Sequence, residues 1–320
     1  MKFVWRTDVH FADQPPRNRV DDWNTTLLGK LSQVYQHAVR VKAAAVLDGG
    51  DLFHVKSPTR NSHEMVARLS ALHREYPVPT LGNVGNHDVV YGDLENLDRA
   101  PLEVLFSSGA MVRCYNEHEC TFTSEEGLKV RVVGIPYHGT HYDLDRFRSI
   151  QKGDADYLVV MAHLLASPEG GRMFDSEDVV KYSDLPQLCP DASVFCFGHW
   201  HKNQGITTLP NGALVVNVGS LTRGTLTEDN LDRIPVMAEI TITREGCQAI
   251  EIPLDVAKAD DVFAVGASVQ EAVQDLALEA FVQNLKDAFK PERSVPLVDV
   301  IRGLSIQPQV KERALSYLES

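Results

Sequence analysis

Five short apolar runs in this chain each stop abruptly at a cluster of Asp, Asn, His and Gly, and this punctuation narrows the available folds more than any other feature. Residues 3–7 precede Asp8, residues 43–47 precede Gly49-Gly50-Asp51, and residues 78–81 precede Asn83-Val84-Gly85-Asn86. Later, residues 157–162 lead to His163 and residues 194–197 to Gly198-His199. Short continuous apolar runs read as strands buried on both faces, and the recurring polar stop places chemistry-bearing residues along one sheet edge. Between the first two runs, Leu27, Leu28, Leu31, Val34, Tyr35, Ala38 and Val39 recur at helical spacing, so strand, helix and strand alternate as in a crossover unit. A second helix is expected after Pro58, with Met65, Val66, Leu69 and Leu72 as its apolar face. Strand-like runs then dominate, at 130–135, 213–216, 236–242 and 249–254. The expected fold class is α/β: a mixed β-sandwich flanked by helices over residues 1–256, followed by a small helical appendage over 257–320.

The appendage is read from two patterns. Ser268 and Glu271 have capping-box spacing, with Val269, Val273, Leu276, Ala277, Ala280, Phe281 and Leu285 forming a stripe that stops before Pro291. Val310, Ala314, Leu315 and Leu318 form a second stripe. These helices either pack on their own core or dock another chain. Residues 1–6 enter a charged motif without a basic region followed by a long apolar stretch, and no apolar run has membrane-spanning length. The five cysteines are scattered without C-x-x-C pairing, which fits a reducing compartment, and a cytoplasmic protein is expected. A formal charge of −13 excludes a protein that grips nucleic acid along its whole surface, since phosphate neutralisation normally needs Lys and Arg. It leaves room for a DNA-cleaving subunit whose bound cations or partner supply the grip.

The polar clusters carry the chemistry. In order they are Asp8-x-His10, Gly50-Asp51, Gly85-Asn86-His87-Asp88, His163 and Gly198-His199-x-His201. Strand alternation is expected to send Asp8 and His10 to one face, and His199 and His201 likewise. Either pair alone is weak, but five such clusters, each at a strand end, are not a chance pattern. Carboxylate, imidazole and amide donors without thiolates suit divalent manganese foremost, with iron or zinc as alternatives. A carboxylate can bridge two cations, a role expected of Asp51. Two cations about 3.5 to 4 Å apart can activate a shared water for in-line attack at phosphorus.

These motifs resemble the calcineurin-like metallophosphoesterase superfamily, whose signature runs through most of residues 8–220. The resemblance implies one metal held by Asp8, His10, Asp51 and His201, and a second held by Asp51, Asn86, His163 and His199. It also implies His87 near the scissile phosphate or leaving group, with Asp88 orienting it. The run Gly50-Asp51-Leu52-Phe53-His54-Val55-Lys56-Ser57-Pro58 is similar to the SbcD-type DNA double-strand-break repair nucleases of bacteria and phages. That resemblance implies contact between His54 and a DNA phosphate, exonuclease and endonuclease action in repair and recombination, and an SbcC-type coiled-coil ATPase as partner. It further implies a homodimer formed by the helix after Pro58 and residues 94–106. Few residues follow the last expected strand, so a trimmed phage-type version is expected, its terminal helices serving as the ATPase-docking element. A small-molecule phosphodiesterase or phosphatase of the same superfamily is the alternative. A non-catalytic scaffold would show eroded ligands, and none is eroded here. The stretch Asn217-Val218-Gly219-Ser220-Leu221-Thr222-Arg223-Gly224 resembles the closing family motif, with Val218 where proline is usual. Arg223 is expected either to reach a substrate phosphate or to form a surface ion pair. Residues 136–142, with His138 and His141, are expected to be an ordinary loop before a helix containing Phe147, the alternative being a substrate rim of stacking aromatics.

Overall fold

The structure is a computed structural model that describes residues 1–16, 18–54, 61–90, 93–116, 118–173 and 177–264. In chain order the first strands are β1 (Lys2–Arg6), β2 (Ala45–Asp48), β3 (Thr80–Gly82), β4 (Val112–Arg113), β5 (Cys120–Thr123), β6 (Lys129–Ile135) and β7 (Tyr157–His163). They are followed by β8 (Ala166–Ser167), β9 (Gly171–Met173), β10 (Glu177–Lys181), β11 (Val194–Gly198), β12 (Gly205–Thr208), β13 (Leu214–Asn217), β14 (Val236–Thr243) and β15 (Gly246–Pro253). One six-stranded sheet has the order β15-β14-β1-β2-β3-β4, the other β12-β13-β11-β7-β6-β5. In the first, β1 to β4 run parallel; in the second, β6, β7, β11 and β13 do. A third, three-stranded sheet of β8, β10 and β9 has no counterpart in the sequence-based expectation.

Alternation along the strands builds the layers. Phe3 and Trp5 of β1 join Leu47, Val159, Met161, Cys196 and Val216 in a core between the two large sheets. Val4 and Val46, pointing the other way, pack under α1 (Trp23–Arg40) and α2 (His63–Glu75) with Leu27, Leu31, Val34, Met65 and Leu69. On the outer face of the second sheet, Val160, Phe195 and Phe197 pack with Phe147 and Leu185. Both faces of the central strands are therefore covered, which is why they read as unbroken apolar runs. Asp22 caps α1 by accepting from the Thr25 amide, and Ser62 caps α2 by accepting from that of Met65. The expected α/β sandwich flanked by helices is the observed fold. The compact unit runs Met1–Phe263, and the helices expected at 268–285 and 310–318 lie outside the described residues. Among the described residues, no helix is long and apolar enough to cross a membrane.

One polar network is sealed inside this sandwich. Arg6 is fully buried, its Nε 2.9 Å from Asp48 Oδ2 and its Nη2 2.9 Å from His73 Nε2. The other ring nitrogen of His73 lies 2.7 Å from the Leu69 carbonyl. Nδ1 therefore donates, Nε2 accepts from Arg6, and the ring is neutral. Burial first and the Arg6 charge second lower the His73 pKa to about 3. Because the folded value lies below the unfolded one, stability from the neutral ring is complete above the ordinary histidine pKa and is lost as pH falls towards the folded value. Unfolding free energy is expected to fall between roughly pH 6.5 and 3 with a contribution approaching about 1.4 kcal/mol per pH unit. Denaturant titrations of wild type and His73→Gln check this: the acid-side slope shrinks by about one proton in the variant.

Candidate metal centre

The polar clusters follow the C-terminal ends of β1, β2, β3, β7 and β11, so both large sheets deliver side chains to one edge. They do so by a different device from the one expected. Extended alternation would carry β1 through His10, but β1 stops at Arg6, and Asp8 and His10 have φ of 53° and 52°. Asp51 has φ 53° and His199 has φ 88°, the latter just beyond the end of β11. Four candidate ligands thus occupy the left-handed region that non-glycine residues rarely visit, a form of strain that clusters at functional sites. The alternation argument fails because the chain turns sharply at each of these positions. Backbone bonds hold the turns: Asp8 N donates to Gly50 O (3.0 Å), His10 N to Asp51 O (2.9 Å) and Phe11 N to Leu52 O (2.8 Å). Gly85 is required, because a side chain there would collide with the Asp51 carboxylate.

The structure brings the seven expected metal ligands together with His54 and His87, and leaves Arg223, His138 and His141 outside this cluster. Around the first expected position, His10 Nε2 lies 2.9 Å from His201 Nε2, 3.9 Å from Asp8 Oδ1 and 3.7 Å from Asp51 Oδ2. His201 Nε2 is 3.5 Å from Asp8 Oδ1. Around the second, His163 Nε2 lies 3.4 Å from Asp51 Oδ2 and 3.3 Å from Asn86 Oδ1, and donor atoms of Asp51, His163 and His199 all fall within 4.8 Å of one another. Donors that each sit about 2.0 to 2.2 Å from one cation have mutual separations of this order.

Hydrogen bonds aim the free donor atoms inward. His87 N donates to Asp51 Oδ1 (2.7 Å), whereas Asp51 Oδ2, buried between the two histidine groups, has no hydrogen-bond partner. An unpartnered buried carboxylate oxygen is costly unless something cationic meets it, so the Asp51 geometry fits a bridging ligand. Asp8 Oδ2 accepts from Thr7 Oγ1 (2.7 Å) and His199 N (3.0 Å), tying β11 to β1. His163 Nδ1 donates to Gly49 O (2.9 Å), which leaves Nε2 as the atom that can meet a cation once its proton is displaced. His199 Nε2 is 3.0 Å from Glu177 Oε1, leaving Nδ1 free. Such outer partners fix a ligating imidazole's tautomer and direction.

Glu177 was not found from the sequence. It lies on β10 of the small third sheet, and Tyr142 Oη donates to the same oxygen (2.7 Å). Tyr137 packs against His199, with ring centroids 5.4 Å apart. The 136–142 loop expected to be ordinary therefore contributes two walls of the site. His138 has only local partners, Pro136 O and Asp143 N. The expectation that Asp88 orients His87 is corrected: Asp88 accepts from the backbone amides of Asp51 (2.7 Å), Gly85 (2.9 Å) and Phe53 (3.1 Å). The His87 ring is instead oriented by the His54 carbonyl, 2.9 Å from its Nδ1. His54 stacks on His87 at 5.2 Å and 13°, with His10 edge-on to both. Arg223 is buried and donates to Ala257 O (2.6 Å), so the expected surface ion pair does not form.

Electrostatics sort the donors. Burial alone would raise the pKa of Asp8 and of Asp51, but His201 and His163 hold Asp8, and His163, His87 and His10 hold Asp51, below the usual carboxylate range. His163 moves in the opposite direction: burial lowers it, yet the Asp51 and Asp8 charges raise it to about 10.

A two-sheet sandwich presenting carboxylates, imidazoles and an amide at its strand ends defines a metal-dependent hydrolase. The family model for calcineurin-like phosphoesterases matches residues 1–203, and the chain belongs to that family, whose members use a dimetal centre. No curated protein sequence matches the chain. Among solved structures, a Staphylococcus aureus protein assigned as a 5′-nucleotidase is 18% identical with a TM-score of 0.53, covering 86% of this chain and 58% of its own. The Thermus thermophilus sulfate thiohydrolase SoxB is 13% identical (TM-score 0.47; 91% of this chain, 62% of its own). A Danio rerio dimetal phosphatase is 12% identical (TM-score 0.47; 80% of this chain, 99% of its own). The chain thus spans less than two thirds of the first two.

A cation entering the second position must displace the His163 proton that Asp51 and Asp8 retain, so binding is linked to proton release. Divalent-ion affinity of the metal-free protein is expected to rise up to about tenfold per pH unit between roughly pH 6 and 9. Calorimetric manganese titrations in buffers of different ionisation enthalpy check both the slope and the released proton.

Proposed function

We propose that this chain is a metal-dependent DNA nuclease of the SbcD type, hydrolysing phosphodiester bonds in repair and recombination. The observation that carries this reading is His54: three residues after Asp51, its ring is exposed at the cleft, stacked on His87 and beside His10. Two neighbouring imidazoles at the mouth of the donor cluster suit a substrate that must be gripped at its phosphate and protonated at a leaving oxygen. With His87 Nδ1 engaged by the His54 carbonyl, Nε2 is the atom left to face substrate. The His201 side chain is 54% exposed, so this candidate ligand stands at the surface of the cluster.

Asp8, His10, Asp51 and His201 would hold one divalent cation, and Asp51, Asn86, His163 and His199 the other, with manganese the first choice. When bound, such a pair supplies an activated water and neutralises charge at phosphorus. Glu177 keeps His199 aimed, and Asp88 keeps the Asp51 and Gly85 turns together. In this reading the chain works as a homodimer with an SbcC-type ATPase. The packed pair of α2 and α3 (Pro101–Ser107), with Val104 exposed, forms the self-contact. The partner supplies the DNA affinity that a charge of −13 withholds.

The acidic surface favours a second reading, a phosphodiesterase or phosphatase for nucleotides and other small phosphoesters, whereas His54 favours the nuclease. The purified chain with manganese separates the two: degradation of linear DNA supports the nuclease, and turnover confined to small esters overturns it. His87→Ala is expected to lower kcat by about 100-fold or more on either substrate while metal content is unchanged. His54→Ala is expected to cost DNA cleavage more than small-ester hydrolysis, and an equal loss on both would favour the second reading.

A further inference from the structure

Away from the donor cluster, α1 forms one wall of a cavity of about 200 Å³, faced by Arg19, Arg223 and residues 255–257. Lys30, in the middle of the helix, is 2% exposed, and its Nζ makes one hydrogen bond, to Leu221 O at 3.2 Å. Arg223 is 4% exposed, and its Nε is buried without a partner. Arg19 is already satisfied by both oxygens of Asp21, at 2.8 and 2.7 Å, and Arg233 behind the wall pairs with Asp229 at 3.4 Å. Four cations are thus gathered with three carboxylates, since Asp255 also lines the cavity. Lys30 and Arg223 form no ion pair with a carboxylate among the described residues, and Asp21 is the acid whose charge acts on both. Among the described residues, cations thus outnumber carboxylates around one cavity of a chain whose net charge is −13.

Buried charge without a counter-charge is costly, and burial first, then Arg19 and Arg223, push the Lys30 pKa well below its ordinary value. Gly29 adds an independent sign. A glycine in the middle of a helix weakens it, and here no atom lies within 4 Å of where a Cβ would stand. Among the described residues packing does not require it, and Gly29 lines the cavity, where a larger side chain would project into open space.

We propose that this cavity binds a phosphate-type oxyanion through Lys30 and Arg223, as a site separate from the metal centre. An ammonium and a guanidinium facing one cavity suit an acceptor carrying several oxygens. The volume admits either free orthophosphate, a product of phosphoester hydrolysis, or the phosphate of a mononucleotide. The anion would sit against the 220–223 turn, whose Ser220 Oγ donates to Asp8 O (2.9 Å) and whose Leu221 N donates to Thr7 O (3.0 Å).

The test uses the full chain stripped of metal with EDTA, at fixed ionic strength with chloride as control. Melting temperature and calorimetry are followed against inorganic phosphate and, separately, AMP. Saturable stabilisation by phosphate assigns the free anion, and stabilisation by AMP alone assigns the nucleotide-borne group. Lys30→Met is expected to be at least as stable without ligand and to bind at least about tenfold more weakly. Gly29→Leu, which leaves every cation in place and favours the helix, is expected to block binding by filling the mouth. No stabilisation beyond chloride, or an unchanged response in both variants, overturns the proposal.

Discussion

The geometry at the strand ends depends on how Asp51 is held. Its backbone is left-handed, its amide is fixed by Asp88, one carboxylate oxygen is taken by the His87 amide, and the other is left bare in a buried space between two groups of histidines. The left-handed backbone and the buried oxygen without a hydrogen bond are each unfavourable alone. Asp88 offsets the strain by accepting three backbone N–H bonds from two different turns, and burial together with the nearby Asp51 charge pushes its own pKa up to about 8. The chain thus concentrates strain, buried charge and an unmatched oxygen at one point, and a cation relieves the last two at once.

The sandwich makes this concentration possible. Parallel strands in each large sheet end at the same edge, and the His199 amide donating to Asp8 stitches the two edges together. Each sheet alone would carry an incomplete donor set: Asp8, His10, Asp51 and Asn86 come from one, His163, His199 and His201 from the other. The fold is therefore a device for bringing two half-sites within a few ångströms, and its dry interior between the sheets keeps their spacing fixed.

What could be read from the sequence follows from this layering. Strands covered on both faces leave long apolar signatures, so the runs at 43–47, 157–162 and 194–197 mark β2, β7 and β11 to within a few residues. The polar stop after each run names the site residues by type and order, without geometry. Left-handed turns at Asp8, His10 and His199 carry no signature, since no glycine or asparagine marks them. Glu177 was invisible because its partner His199 lies on another sheet, and β10 is too short for a periodic pattern. Arg6 was equally hidden: a charged residue closing a strand reads as a surface end until Asp48 and His73 are seen to enclose it.

The turn after β13 shows how one substitution can be absorbed by distant residues. Where a proline would stiffen it, the chain has Val218, 1% exposed and packed between the sheets, so stiffness must come from elsewhere. Three consecutive carbonyls supply it: Ser220 and Thr222 accept from Arg233 at 2.6 and 2.5 Å, and Leu221 accepts from Lys30 at 3.2 Å. Lys30 of α1 and Arg233 thus clamp a turn whose other side holds the backbone of Asp8. The positive charge gathered under α1 and the negative charge gathered at the strand ends are then two sides of one short segment, 220–223. Its rigidity joins the placement of the first candidate ligand to the buried cations Lys30 and Arg233.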